Sequence, residues 1–485
     1  MSRLKLLVEN FFAYGLASIV GKIIPLFMLP IVTRLVQTEI FGVNDVLHTI
    51  SSFIGAFALL GIADAMFRIF FEKEELDFKK TVCTSSLHIV LKSSIVTSLV
   101  VALLSGQISQ LLFGDRKYYL WVIIISIQIA LSSIGNIIKV PTRMENKRKI
   151  FILISVLNPL ISYSVSIPLI IFVDPLLGLV FGPFTTSVID MIIFWSLNKR
   201  WFTRRFDKEI GKQLLKIGIP LVPTILIYWV FGSFDRIMIS NSIGPFYNGI
   251  YAAGAKVSSI SQLIYTAFAG GWQYFVFSTM KDKDHTKMIS RVWSFLAMVS
   301  FVAWAAIYPF VDWLFNLLFE GDYIKGGEVF PYLFLSPLLL MLFQIIGNQF
   351  QVIMKTYWSP ICLTVGAFAN VLLNILLIPV LGVEGAALAT LLGYSLSVAI
   401  AASVAIKKKV LIIERSTLLN IALFSSLVLV TRVLKGEFTL ITILCLLYIS
   451  AAILINRQVL LEFARRARLT LPQVNRKEMK RRKRD

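Results

Sequence analysis

The chain is poor in the residues that most catalytic chemistry needs. Its 485 residues include three cysteines and three histidines, and only 15% are charged. Cys83, Cys362 and Cys445 stand far apart with no CxxC pair, so neither a disulfide frame nor a zinc site is expected. His48, His88 and His285 are too scattered for a ligand cluster. No Walker A sequence occurs: Gly21-Lys22 and Gly211-Lys212 lack the upstream glycine and a following Ser or Thr, which excludes ATP hydrolysis by that route. HExxH, GxSxG and a strand-borne GxGxxG are absent, and the connections are too short for a catalytic domain.

Apolar residues make up 57% of the chain, and the mean hydropathy is +0.79. A soluble domain has about 45–50% apolar and about 25% charged residues, so a soluble enzyme and a disordered chain are both excluded. Apolar runs recur over 10–35, 43–70, 81–105, 118–140, 150–173, 176–198, 212–240, 246–278, 287–318, 327–353, 358–379, 383–406, 415–434 and 438–456. Each is about the 20 residues that a helix needs to cross a bilayer. The expected fold is all-α and polytopic, with about fourteen transmembrane helices. Barrel strands would alternate instead of running apolar throughout. The N-terminal run has no small-x-small cleavage site and reads as the first span, not a removable signal.

The net charge of +21 needs no nucleic acid to explain it. With the N-terminus cytoplasmic, 38 of the 48 Lys and Arg fall in the inside connections and tail, and seven fall outside. That asymmetry is the positive-inside pattern. The remaining three, Lys22, Lys92 and Lys256, lie within spans. The tail 457–485 carries eleven basic residues and suits anionic lipid heads.

A weak repeat divides the chain. Ser132, Asn136, Lys139 and Arg143 recur as Gln344, Asn348, Gln351 and Lys355 at an offset of 212, and Pro175-Leu-Leu-Gly178 recurs as Pro379-Val-Leu-Gly382 at 204. Residues 1–198 and 199–406 are therefore expected as two six-helix bundles in the same orientation. Residues 407–456 add two helices, and 457–485 form a basic cytoplasmic tail. Parallel repeats of this kind place a site between the halves.

Charges within spans are the strongest site candidates, because each costs roughly 2.5–3.5 kcal/mol at mid-membrane. Lys22 follows Tyr14 and Ser18 on an i, i+4 face; it either pairs with an acid or lines a cavity and binds an anion. Lys256, beside Asn248, Ser259 and Gln262, carries the same two readings. Arg34 ends the first span and either snorkels to the interface or joins the cavity. Lys92 reads more readily as a structural partner. Gln128 and Asn136 on the fourth span, and Gln344 and Asn348 on the tenth, form amide stripes that suit sugar hydroxyls or helix–helix glue. Asp64, one turn before Arg68, is a static ion pair or a carboxylate coupled to H+ or Na+. Asp235, next to Arg236, is a second coupling candidate or an interface pair.

Several segments resemble a known family. Pro30-Ile-Val-Thr-Arg34-Leu with Glu39-Ile-Phe-Gly42 is similar to the first-helix signature of polysaccharide flippases of the multidrug/oligosaccharidyl-lipid/polysaccharide exporter superfamily. Leu214-Leu-Lys-Ile-Gly-Ile-Pro220-Leu-Val-Pro223 with Asp235-Arg236, Gly249-Ile-Tyr-Ala-Ala-Gly-Ala-Lys256, and Leu381-Gly382-Val-Glu-Gly385 resemble the seventh, eighth and twelfth helices. The likeness covers about 10–456. It implies a transporter, not an enzyme, that moves an undecaprenyl-diphosphate-linked oligosaccharide from the inner to the outer leaflet for O-antigen, capsule or exopolysaccharide assembly. It implies a cationic cavity at Lys22, Arg34 and Lys256, membrane lipids as partners, a polysaccharide polymerase as candidate protein partner, and a bacterial or archaeal inner membrane. Lipid II flipping and multidrug extrusion are the alternatives within the superfamily. Three central lysines oppose the second, since organic cations need acidic cavities.

The charge asymmetry predicts that reporters fused after Lys80, Lys149, Lys208 or Lys409 read as cytoplasmic. Reporters after Arg116, Lys325 or Lys435 should read as external. Two or more reversed positions would sink the fourteen-span topology.

Overall fold

The computed structural model describes residues 21, 23–145, 147–434 and 436–457. These residues form helices and no strands. The elements are α1 (Ile23–Leu35), α2 (Thr38–Leu59), α3 (Ile62–Phe70), α4 (Leu76–Leu103), α5 (Ser105–Phe113), α6 (Tyr119–Met144), α7 (Arg148–Phe172) and α8 (Pro175–Asn198). There follow α9 (Lys208–Gly218), α10 (Val222–Trp229), α11 (Asp235–Ser242), α12 (Pro245–Ser258), α13 (Ile260–Ser278), α14 (His285–Ile307) and α15 (Val311–Leu318). The chain closes with α16 (Phe330–Val352), α17 (Trp358–Lys407), α18 (Arg415–Val433) and α19 (Phe438–Ile455).

Eleven helical stretches among the described residues are long and apolar enough to cross a membrane. One of them, α17, is two arms. Gly382 has φ 60° and ψ −135°, a conformation that only glycine adopts without strain. Asn370 donates to Thr390 Oγ1 at 3.1 Å, and a Cβ on Gly366 would meet Gly393 O at 2.6 Å, so the arms run antiparallel about that residue. Adding this second arm, the shorter α1 and the broken pass α12–α13 gives fourteen passes, the number that the apolar runs predict. The molecule is a multi-pass membrane protein.

Several passes expected as single helices are interrupted. The second is split by left-handed Leu60 and Gly61 into α2 and α3. The seventh is the most broken. Between α9 and α10 lies a 3-10 turn, Ile219–Leu221, and between α10 and α11 a π turn, Val230–Phe234. Pro220 and Pro223 lack the N–H that an unbroken helix would use there. The amphipathic α5 and the 3-10 segment Gly321–Glu328 have no counterpart among the apolar runs.

The repeat is clearer in helix order than in sequence. The starts of α2, α4, α6 and α7 at Thr38, Leu76, Tyr119 and Arg148 recur at Pro245, His285, Phe330 and Trp358, offsets of 207, 209, 211 and 210. The Pro-x-Leu-Gly match is out of register by a few residues. Pro175 opens α8, whereas Pro379 still lies in the first arm of α17. Glycine packing gives the true correspondence: a Cβ on Gly178 would strike Ile170, and one on Gly385 would strike Leu377, an offset of 207 in both.

The same offset relates two glycines that touch each other. A Cβ on Gly42 would lie 1.9 Å from Pro245 O, and one on Gly249 would lie 2.0 Å from Thr38 O. Thus α2 and α12 cross backbone to backbone, and each repeat contributes the same pair of positions. Small residues at such crossings let membrane helices approach. Further contacts join the repeats at this end. Tyr323 donates to Val36 O at 2.9 Å, and Ser240 donates to Leu112 O at 3.1 Å. At the opposite, basic end, Arg200 and Trp201 hold Glu145, and Arg204 holds Asp77.

Gly42→Ala or Gly249→Ala should force the crossing apart and lower the melting temperature in detergent, at about 1–3 kcal/mol or more. Gly55→Ala, on the same helix, has nothing within 4 Å of its new methyl and serves as the control. Equal melting of all three would exclude the crossing.

Candidate functional site

The crossing of α2 and α12 brings polar groups together deep in the apolar bundle. On α2, Phe41, Asn44, Asp45 and His48 follow an i, i+3, i+4, i+7 pattern and so share one face. Asn248, Tyr251 and Lys256 come from α12, and Asp235 and Arg236 open α11, just after the π turn. Such turns are frequent at functional sites.

Asp45 is buried and is the acceptor that joins the repeats. Arg236 Nε lies 3.4 Å from its Oδ2, and Asn248 Nδ2, which also donates to Gly42 O at 2.9 Å, lies 3.4 Å from the same oxygen. Asp235 is held differently. It accepts from the Tyr251 hydroxyl, from Thr390 Oγ1 at 3.3 Å and from the Arg236 N–H at 2.9 Å. Thr390 in turn accepts from Asn370, and the side-chain carbonyl oxygens of buried Asn370 and Asn374 have no hydrogen-bond partner. Asp235 thus sits one hydroxyl away from a turn of orphaned oxygens.

Lys256 makes no salt bridge among the described residues. No carboxylate among the described residues lies within 4.0 Å of it, although the charge of Asp45 acts on it through space. Its Nζ stands 4.3 Å from the Phe41 ring centroid, and its side chain is exposed to a chamber. A cation–π contact contributes about 0.5–2 kcal/mol, less than the roughly 2.5–3.5 kcal/mol cost of a central charge. The ring alone therefore does not offset the charge, and the through-space pull of Asp45 adds to it.

That chamber has a volume of about 340 Å³, within the range of small-molecule sites of about 300–1,000 Å³. Its walls come from α1, α2, α7, α8 and the end of α12. Beside Lys256 it presents His48, Asn44 (whose buried carbonyl oxygen is unpartnered), Ser162 and Ser166. The serines line it because Gly182 lets α8 ride against them: a Cβ there would sit 1.9 Å from Ser166 Oγ. A second chamber of about 180 Å³ lies among α11, α12, α16 and α17, with Arg236 on its wall. Both chambers are lined by Ser259.

The other residues singled out in the sequence fall elsewhere. Lys22 lies outside the described residues, although its neighbours Gly21 and Pro25 line the first chamber. Arg34 pairs with Glu320 at 3.1 Å, both side chains largely exposed, so it bridges the repeats at the rim. Lys92 is exposed and reaches to 5.8 Å from the Phe206 ring, toward the basic end. Gln128, Asn136, Gln344 and Asn348 line neither central chamber, although Gln128 Oε1, Gln344 Oε1 and Asn348 Nδ2 are buried and unpartnered. Asp64 is exposed on α3, and among the described residues no ion pair joins it to Arg68. Asp45, His48 and Asn44 were not singled out. Their common face on α2 was legible, but Asp45 alone looks like any isolated acid. No group of three or more His, Cys, Asp or Glu able to hold a metal occurs among the described residues.

The model of a family described as polysaccharide biosynthesis protein matches residues 31–324. Two uncharacterized membrane proteins of Methanocaldococcus jannaschii are similar. One is 23% identical over 401 residues, 80% of this chain and 93% of its own length. The other is 24% identical over 200 residues, 39% of this chain and only 38% of its own length. Among solved structures, the lipid II flippase MurJ in an inward closed conformation aligns with a TM-score of 0.68 at 15% identity, covering 93% of this chain and all of that one. An inward-facing multidrug resistance MATE family transporter of the MOP superfamily aligns with a TM-score of 0.62 at 15% identity, covering 80% and 97%. At these identities the two structures share the fold.

Removing one partner of the Asp45–Arg236 pair leaves a buried charge uncompensated, which costs about 3–5 kcal/mol. Asp45→Asn and Arg236→Gln should each lower the melting temperature in detergent. The double variant should recover most of the loss. Additive losses would show that the two groups do not depend on each other.

Proposed function

The chain belongs to the polysaccharide biosynthesis protein family, and from that premise we propose that it flips a polyprenyl-diphosphate-linked oligosaccharide across the membrane by alternating access. The observation that carries this reading is Lys256, a cation without a salt bridge among the described residues, on the wall of a chamber between helices of both repeats. A diphosphate supplies the anion that this site lacks, and a lysine binds phosphate as a point charge. Arg236 stands close by, partly neutralised by Asp45. An organic cation would be repelled by the same pair, which argues against multidrug extrusion.

In this reading residues 1–198 and 199–406 are the two bundles that rock against each other. The α2–α12 crossing closes one end. The basic end faces the cytoplasm, with both termini, in a bacterial or archaeal cell membrane. The undecaprenyl carrier and the external polymerase are the expected partners.

Transport without a nucleotide site needs another driving force. Asp235 is the better-supported coupling residue, because Thr390 links it to Asn370, whose unpartnered side-chain oxygen suits a hard cation such as Na+. A proton on Asp235 would serve the same end by weakening its hold on its donors. Asp64 is the second candidate, exposed and unpaired on α3.

The test is flipping of a fluorescent prenyl-diphosphate-linked oligosaccharide in proteoliposomes. Lys256→Ala should lose at least about 90% of the rate at normal abundance, and Lys256→Arg should retain more than Lys256→Ala. Lys22→Ala tests the other mid-span lysine that the sequence singles out and should also lose most of the rate. Asp235→Asn should abolish the response to imposed sodium or proton gradients. Normal flipping by Lys256→Ala, or transport of a fluorescent organic cation instead, would overturn the reading.

A further inference from the structure

A polar seam runs through the first bundle, away from the first chamber. Its helices α7 and α8 are antiparallel, and two contacts fix their register. A Cβ on Gly182 would sit 1.9 Å from Ser166 Oγ, and Asn158 Nδ2 donates to Asp190 Oδ2 at 2.8 Å. Ser162 and Thr186 lie midway between these contacts, four residues from each. Asn158, Ser162 and Ser166 therefore face Asp190, Thr186 and Gly182 turn by turn. Ser162 and Ser166 also line the first chamber, with His48 and Lys256. The seam thus joins the chamber wall to Asp190. Polar groups continue from there to the basic end, between α6 and α8. Asn198, two turns beyond Asp190, donates to Ile138 O and Thr142 Oγ1, each at 2.8 Å. Lys139, Thr142 and Glu145 follow one another at three-residue spacing, and Glu145 is held by Lys147, Arg200 and Trp201.

Asp190 is the incompletely held member of this row. Its Oδ2 has Asn158, but its Oδ1 is buried with no hydrogen-bond partner. The charge of Lys139 acts on it through space, without a salt bridge between them among the described residues. Other charged groups are engaged or distant. Arg143, one turn beyond Lys139, lies over the Phe67 ring at 5.8 Å. The ionisable side chains of α7 are Arg148 and Lys149 at its start and Tyr163 at the chamber. From α2, His48 faces the chamber and Asp45 holds Arg236, and in the turn after α8 Arg200 holds Glu145. A buried carboxylate with one bare oxygen is costly. Two changes relieve it: a proton on Oδ1, or the Lys139 ammonium against the same atom. Each excludes the other, so the pair has two discrete arrangements.

We propose that Asp190 is a proton-binding site, filled from the basic end along the row between α6 and α8, and that its proton exchanges with the ammonium of Lys139. On uptake, a proton from water at that end forms an O–H bond with Oδ1, and Lys139 stays apart. On release, the proton returns to water and Lys139 closes on Oδ1 as an ion pair. The closure draws α6 toward α8, and the seam carries the movement to the serines of the chamber. Proton binding itself needs no cargo. Its use to drive transport rests on the flippase reading and places a proton step in the first bundle, apart from Asp235 in the second.

Infrared spectroscopy of the full chain in lipid nanodiscs reads the carboxyl directly. Wild type should show a protonated-carboxyl band that is lost in alkaline buffer. Asp190→Asn, whose side-chain oxygen still accepts from Asn158, should lack that band at an unchanged melting temperature. In Lys139→Gln the band should survive the alkaline buffer, because nothing replaces the proton. In proteoliposomes with a fluorescent prenyl-diphosphate-linked oligosaccharide, an imposed proton gradient should speed flipping by wild type. Asp190→Asn should lose that response. An infrared spectrum unchanged by Asp190→Asn would overturn the proton site. A band that disappears in Asp190→Asn, while that variant keeps the full response to the gradient, would overturn its part in transport. The band together with no flipping at all by wild type would remove the flippase reading and leave the proton site standing.

Discussion

The close crossing of α2 and α12 is the contact on which the rest of the structure depends. Between membrane helices there is little hydrophobic driving force, because lipid tails are as apolar as leucine. Approach to backbone distance is what makes the packing favourable there, and only glycine permits it at Gly42 and Gly249. The crossing then fixes everything one turn away. Asn248 meets Gly42 O and Asp45, and Lys256, two turns further along α12, meets Phe41. A wider crossing would separate the groups that give the chambers their chemistry.

Charge is distributed unevenly around that crossing. The two carboxylates, Asp45 and Asp235, are both occupied by donors within the protein. The two cations are not equally served: Arg236 has Asp45, while Lys256 has an aromatic ring. The electrostatic character of the crossing is therefore set by which partners each charge has, rather than by a large excess of positive charge. The same logic extends to the neutral groups. Asn44, Asn370 and Asn374 each keep a carbonyl oxygen free at positions where a closed protein interior would have satisfied it.

The order and number of passes were legible in the sequence, because a span announces itself by some twenty apolar residues in a row. The positions of the breaks were only partly legible. Pro220 and Pro223 mark the interrupted seventh pass, but nothing local marks the π turn at Val230–Phe234 or left-handed Leu60. Lys256 stood out because a lysine in a span is costly. Asp45 did not, since its importance comes from Arg236, far away in sequence, and single-residue cost cannot reveal a pairing. Arg34 and Lys92 carry the same charge as Lys256 but sit at a rim and near a loop, a difference set by helix rotation and side-chain reach. Of the amide stripes, Gln128 and Asn348 are buried, each with an unpartnered side-chain atom, yet they line neither chamber.

The ion pair that joins the repeats also has a history within each molecule's synthesis. Asp45 and Arg236 are 191 residues apart. At about 5–20 residues per second, α2 emerges roughly 10–40 s before its partner exists. Throughout that interval its carboxylate has neither the Arg236 guanidinium nor Asn248, and the earlier helices must insert with an acid whose partners come later in the chain. Hydration at the interface, protonation, or shelter within the insertion machinery has to bridge the gap. The finished structure therefore conceals an interval of its own synthesis in which this buried acid stands without its partners.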